Sequence, residues 1–264
     1  MGGGILVRNL LKKILNNNFF HIGILLFIIF VIMFVVGIVI IKYDVEGETN
    51  MPYVLSKISI ISSSEGKDKE DKVEGNQWNF SIDQNNDIYL YIDKNPDYKN
   101  NNVNNDFIKQ VSIMDIQVER ENQDGVFKIY RPCTENQSVI FSNIDQDIVE
   151  DLTYNVEKDA DLKNMQITNQ GGILAFRCAN CDVANYISND VEINHNELLS
   201  KANISEEKLK MNVKFNLIMK MSSEKIYKTE ISLNLPLEGI IQSGTVSKEF
   251  TDMSAYIFKR IKNV

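Results

Sequence analysis

The side chains of this chain best suited to chemistry are two thiols in Cys178-Ala179-Asn180-Cys181. That spacing serves redox pairs and half of a zinc site, and with Cys133 and His195 it would complete a Cys3His tetrahedron. Zinc sites of this type bring a second close pair, and thioredoxin-like pairs sit where a strand meets a helix; here neither condition is met, because the flanks read as strand. A disulfide within the pair or to Cys133 is a further use, and plain strand residues are the remaining one.

Other motifs are incomplete. The acidic stretch 143–161 opens as Asn143-x-Asp145-x-Asp147, like a calcium loop, but position 148 is Ile where the loop turns on Gly, and Tyr154 stands where the bidentate acid belongs. Ser64-x-x-Lys67 and Ser222-x-x-Lys225 match the nucleophile motif of penicillin-binding enzymes. Neither opens a helix, and only Lys228-Thr229-Glu230 stands where Lys-Thr-Gly would follow. His195 is the one histidine beyond His21, which leaves a Ser-His-Asp or Cys-His site without material. The sequons at Asn79, Asn136 and Asn203 matter only in a eukaryotic source. No residue is assigned as catalytic, cofactor-binding or metal-binding. No cofactor is expected, and the chain is not expected to be an enzyme.

What would position any such groups starts with Ile22 to Ile41, an apolar run without a charge. At ~1.5 Å per residue it spans the ~30 Å hydrocarbon layer of a bilayer. It exceeds the ~7–15 apolar residues of a cleaved signal peptide, and no small-residue cut site follows, so an uncleaved anchor at 19–42 is predicted. Arg8, Lys12 and Lys13 precede it, while Asp44, Glu46 and Glu48 follow. The positive-inside rule then makes 1–18 a short basic cytoplasmic segment, 43–52 a polar stalk and 53–264 an extracytoplasmic domain.

Three of the 28 cations precede the run, leaving 25 against 36 acids beyond it, a net charge of −11. A body so acidic excludes nucleic acid as a partner and does not lie flat on anionic lipid.

Within the body the apolar pattern has period two. Met211 to Met221 and Tyr227 to Leu235 alternate without a break around Ser222-Ser223-Glu224, which predicts a hairpin. A second hairpin is predicted over 78–92, with Gln84-Asn85-Asn86-Asp87 as its turn. The likeness of the two raises an internal duplication. Tyr53 to Ser62 predicts a strand, and 64–75, mixed in charge and broken by Gly, a loop. Val111 and Ile113 have one parity and Ile116 and Val118 the other, which requires a bulge near Met114–Asp115. Short strands are predicted at 126–131, 138–141, 165–168, 172–177 and 183–187, with Gly171-Gly172 as a turn. Minor helices are predicted at 196–210, in two pieces with a restart at Ser205, and at 247–262, where Phe250, Met253, Ile257 and Ile261 share a face.

Many short strands and few helices predict an all-β fold, a β-sandwich on one N-terminal transmembrane helix. The function expected is that of a binding or scaffolding module at the cell envelope, with an envelope or membrane protein as partner. The first alternative is a structural subunit of a larger envelope complex. The second is a metal- or thiol-dependent protein using Cys178 and Cys181.

Overall fold

The structure is a computed structural model, which describes residues 18–49, 51–69, 77–98, 106–120, 125–132, 141, 148–160, 166–189 and 192–262. The basic segment 1–17, Cys133, the calcium-like Asn143, Asp145 and Asp147, and the expected strand residues 138–140 lie outside them. The chain divides into two compact units, Met1–Glu46 and Gly47–Val264.

The first unit carries helix α1, Asn18–Thr49. Its segment His21–Ile40 is long and apolar enough to cross a membrane, and none of its side chains is buried. The helix continues to Thr49, so the expected polar stalk 43–52 is helical over 43–49.

The second unit is mostly β. In chain order its strands are β1 Tyr53–Asp68, β2 Trp78–Lys94, β3 Ile108–Arg120, β4 Val126–Tyr130, β5 Leu152–Asn155, β6 Ile167–Thr168 and β7 Gly171–Ser188, then β8 Met211–Met221, β9 Ile226–Leu235, β10 Thr245–Phe250 and β11 Lys259–Ile261. They form two antiparallel sheets. One runs β10-β1-β2-β7-β4 with β6 also on β7, and the other runs β11-β9-β8-β3-β5. The two share one apolar core: Ile58, Ile60, Ile88, Leu90, Ile92 and Phe176 from the first, Val111, Ile113, Phe215, Leu217 and Ile231 from the second. Phe176 meets Phe215 edge to face, centroids 5.2 Å apart, a geometry that adds ~0.5–1.5 kcal/mol to the burial of both rings.

A smaller core lies at one end of the first sheet. Phe80, Ile82 and Val183 pack there with Leu198, Leu199, Leu209 and Ile240. These last four belong to short helices, α2 Leu198–Lys201, α3 Glu206–Leu209 and α4 Ile240–Ser243. The two-piece reading of 196–210 therefore holds. Ser205 stands at the N-cap of α3 without capping it. The Glu207 carboxylate is held below the ordinary range by its bond to its own backbone N–H first and by the Ser205 hydroxyl second.

The 211–235 hairpin forms as predicted. So does the bulge in β3, where the register shifts between Met114 and Gln117 and Asp115 takes φ 56°. Four expectations fail. Residues 78–92 are not a hairpin but part of one 17-residue strand, paired on one side with β1 and on the other with β7; with no first hairpin, the suggested duplication loses its basis. Residues 64–68 are not loop, since Ser64 to Asp68 pair with Gln84 to Phe80. The separate strands 172–177 and 183–187 are one strand, β7, with Gly171-Gly172 at its start.

The helix expected over 247–262 is absent as well. Residues 245–250 pair with Ile58 to Ser63 at the edge of β1, and Asp252 accepts hydrogen bonds from the Ser254 N–H and hydroxyl. An Asx turn offers the backbone an alternative to helix, and a helix of this length is marginal in water without tertiary support, whereas the edge of β1 offers its backbone partners.

At Gly244 a close approach requires glycine. Gly244 has φ 65°, and a Cβ there would stand 2.1 Å from Asn196 Cα. Gly239, with φ 85°, has nothing within 4 Å. Gly239→Ala is expected to cost only the ~1–3 kcal/mol of a left-handed non-glycine residue. Gly244→Ala is expected to cost distinctly more, read as the larger drop in the thermal midpoint.

Candidate functional site

The first sheet changes character midway along its three central strands. In register, Ser62, Asn86 and Cys178 lie side by side, as do Ser64, Gln84 and Asn180. Along β2 the face that bears Ile88, Leu90 and Ile92 continues as Asn86 and Gln84, then returns to apolar at Ile82 and Phe80. A polar belt thus separates the main core from the smaller one.

Burial without partners would cost ~1–3 kcal/mol per group, and the belt supplies them. Asn86 Oδ1 accepts from Ser62 Oγ (2.7 Å) and Gln84 Nε2 (3.0 Å). Its Nδ2 donates to Gln84 Oε1 (3.0 Å) and to the Cys178 carbonyl (3.2 Å). Ser62 Oγ accepts from the Leu237 N–H (3.0 Å), Ser64 Oγ donates to the His195 carbonyl (2.8 Å), and Asn180 Oδ1 accepts from Arg120 (3.1 Å).

The opposite face of the same strands is charged. Arg177 makes a two-point ion pair with Asp87 (2.5 and 2.9 Å), with its guanidinium 4.9 Å from the centre of the Phe141 ring. Lys67 pairs with Asp83 at 2.5 Å. Burial pulls the Lys67 ammonium down, but the bond to Asp83 outweighs it and the group is raised overall. Asp83 also accepts from the Asp182 N–H (2.9 Å), where β7 bulges and Asp182 takes φ 58°.

The two thiols are separated by this sheet. Cys178 lies in the main core, and Cys181 lies on the charged face beside Tyr130, 3.7 Å from its hydroxyl. A spacing of three on a strand places side chains on opposite faces, and both cysteines are free. Burial first, then Asp87 for Cys178 and Asp83 for Cys181, pushes both thiols up. Thiolate is the reactive form. Neither cysteine is therefore expected to react with a maleimide in the folded chain near neutral pH, and both are expected to react in denaturant, as mass spectrometry of the alkylated protein would show.

The other sequence-selected groups are also dispersed. His195 accepts the Gly66 N–H on Nδ1 at 3.1 Å, at the small-core end. Ser222 and Ser223 bond Asp106 in the β8–β9 turn. Among the described residues no three His, Cys, Asp or Glu side chains are grouped to hold a metal.

The described residues also form a groove of about 420 Å³, bounded by Met51, Tyr53, Val54 and Leu55 at the start of β1, by Asn95, and by Met253 to Phe258 except Ala255. It lies beside the part of β1 that β10 does not reach, since that pairing ends at Ile58–Phe250. Met253 and Ile257 look like one face of a helix in the sequence, and what marked them as a groove wall was only their apolar character. No family model, curated protein or solved structure matches the chain.

Proposed function

We propose that the chain is a single-pass membrane protein whose body, an extracytoplasmic β-sandwich, is a binding or scaffolding module at the cell envelope. The observation that carries this reading is a helix of membrane-spanning length, unburied from His21 to Ile40, leading into a β body. Arg8, Lys12 and Lys13 ahead of the helix and the acids behind it favour an N-terminus in the cytoplasm. A core contributed by both sheets supports the sandwich. Sandwiches present edges and end loops to partners, and here the partner is an envelope or membrane protein.

The alternative is a structural subunit of a larger envelope complex. A thiol- or metal-dependent role would require Cys178 and Cys181 to act separately, because the sheet lies between them. In-cell crosslinking of the full-length chain followed by mass spectrometry tests the reading. Stoichiometric capture of an envelope or membrane protein is the expected result. Capture of nothing but further copies of the chain would overturn a hetero-partner.

A further inference from the structure

Residues 245–262 run from one sheet to the other. They start as β10, the end strand of the first sheet, and finish with β11, the end strand of the second. Each is paired on one side only, β10 with β1 over six residue pairs and β11 with β9 over three. Between them the backbone turns at Asp252 to Ser254, and again where the Tyr256 N–H donates to the Met253 carbonyl (2.9 Å).

The start of this stretch is fixed. The Gly244 carbonyl accepts the Ser64 N–H (2.9 Å) and Thr245 Oγ1 donates to Asn196 Oδ1 (3.0 Å), at the place where Gly244 stands too close to Asn196 for a Cβ. Beyond it little apolar surface holds the chain down. Ser247, Lys248 and Glu249 are exposed, and Val246, Phe250, Met253 and Tyr256 are half-buried. Of residues 246–262 only Phe258 is buried, 4% exposed in the main core. Strand β9, by contrast, buries every second residue.

The polar ties are of the weaker kind. The Lys57–Glu249 pair (2.7 Å) leaves its carboxylate 58% exposed, where water and salt screen it. Tyr256 Oη reaches the Ser232 carbonyl at 3.4 Å, long for a hydroxyl donor. Segments with few buried apolar contacts and exposed backbone bonds open at a lower free energy than the core they lie on.

We propose that residues 246–262 form a strap that lifts from both sheet edges as one unit while the rest of the body stays folded, with Phe258 as its latch. Closed, the strap covers the β1 edge from Ile58 to Ser62, a row of backbone donors and acceptors that would otherwise be free to pair with another chain. The edge that replaces it carries the exposed charges of Lys248 and Glu249, which discourage such pairing. Open, the strap bares the β1 edge and withdraws Phe258 from the core. The inference holds independently of the membrane anchor.

Amide exchange, read by peptide mass spectrometry on the full-length chain in phosphatidylcholine nanodiscs, tests this. Peptides from the strap are expected to exchange about a hundredfold faster than those from β8, inside the second sheet. Phe258→Ala is expected to speed the β10 and β11 peptides by the same factor, about tenfold, and to leave β2 and β8 unchanged. Ile257→Ala, at an exposed neighbour, is expected to change neither. A second variant pins the strap without touching the core. Ser59 and Glu249 are opposite in register, ~4.5–5.5 Å apart at Cα in an antiparallel pair, within the reach of a disulfide. Oxidised Ser59→Cys with Glu249→Cys is expected to slow exchange of 246–250 about tenfold, and reduction to restore it. Strap peptides that exchange in step with β8 overturn the proposal. So does a Phe258→Ala chain that loses protection in β2 and β8, fails to fold or changes β11 alone, an equal effect of Ile257→Ala, or a disulfide that leaves exchange of the strap as it was.

Discussion

One alanine inserted between Asn85 and Asn86 is expected to unfold the body. If those residues formed the turn of a hairpin, an extra residue would be absorbed as a longer loop at small cost. In a continuous strand it reverses the facing of every side chain beyond it. Ile88, Leu90 and Ile92 would leave the main core, where each is 0% exposed. Burial of such a side chain contributes ~1.5–3 kcal/mol, so the three together approach the whole ~5–15 kcal/mol that stabilises a domain. A bulge could take up the extra residue on an edge strand, but β2 is hydrogen-bonded on both sides, and a bulge there would break the β1 ladder that runs unshifted from Lys57 to Asp68. The same insertion between Ser223 and Glu224, in the β8–β9 turn, is expected to leave the body folded. Limited proteolysis and amide exchange on the full-length chain compare the two. Equal tolerance would refute the continuous strand.

Arg177→Ala is expected to be the most damaging single substitution on the charged face. Arg177 and Asp87 retain only 10% and 13% of their side-chain exposure. Removing the guanidinium leaves the carboxylate buried without its cation, which costs ~3–5 kcal/mol, whereas replacing both members by apolar residues is often close to neutral. Combining Arg177→Met with Asp87→Leu is therefore expected to recover most of the loss, and denaturant midpoints at constant slope would show it. If Arg177→Ala and the double variant were equally unstable, the loss would come from packing against Phe141 and not from the stranded charge.

These two sites mark where local reading ended. The groove beside the start of β1 was not legible either, because one wall opens β1 and the other lies 200 residues later, in a segment whose apolar spacing fits a helix as well as a strap.

By itself the sequence determined the apolar helix, the 211–235 hairpin, the bulge at Asp115 and the split helical segment after His195, because each is written in the periodicity or turn chemistry of adjacent residues. Only the tertiary structure decided that Gln84-Asn85-Asn86-Asp87 is strand, that 64–68 joins it, and that 245–250 closes the edge of β1. Asn and Asp favour turns because they can bond their own backbone. In this fold their partners come from elsewhere: Ser62 is 24 residues from Asn86, and Arg177 is 90 residues from Asp87. A polar residue whose hydrogen bonds are met across a sheet carries no local sign of it, and only the assembled neighbours turn a turn signal into a buried belt.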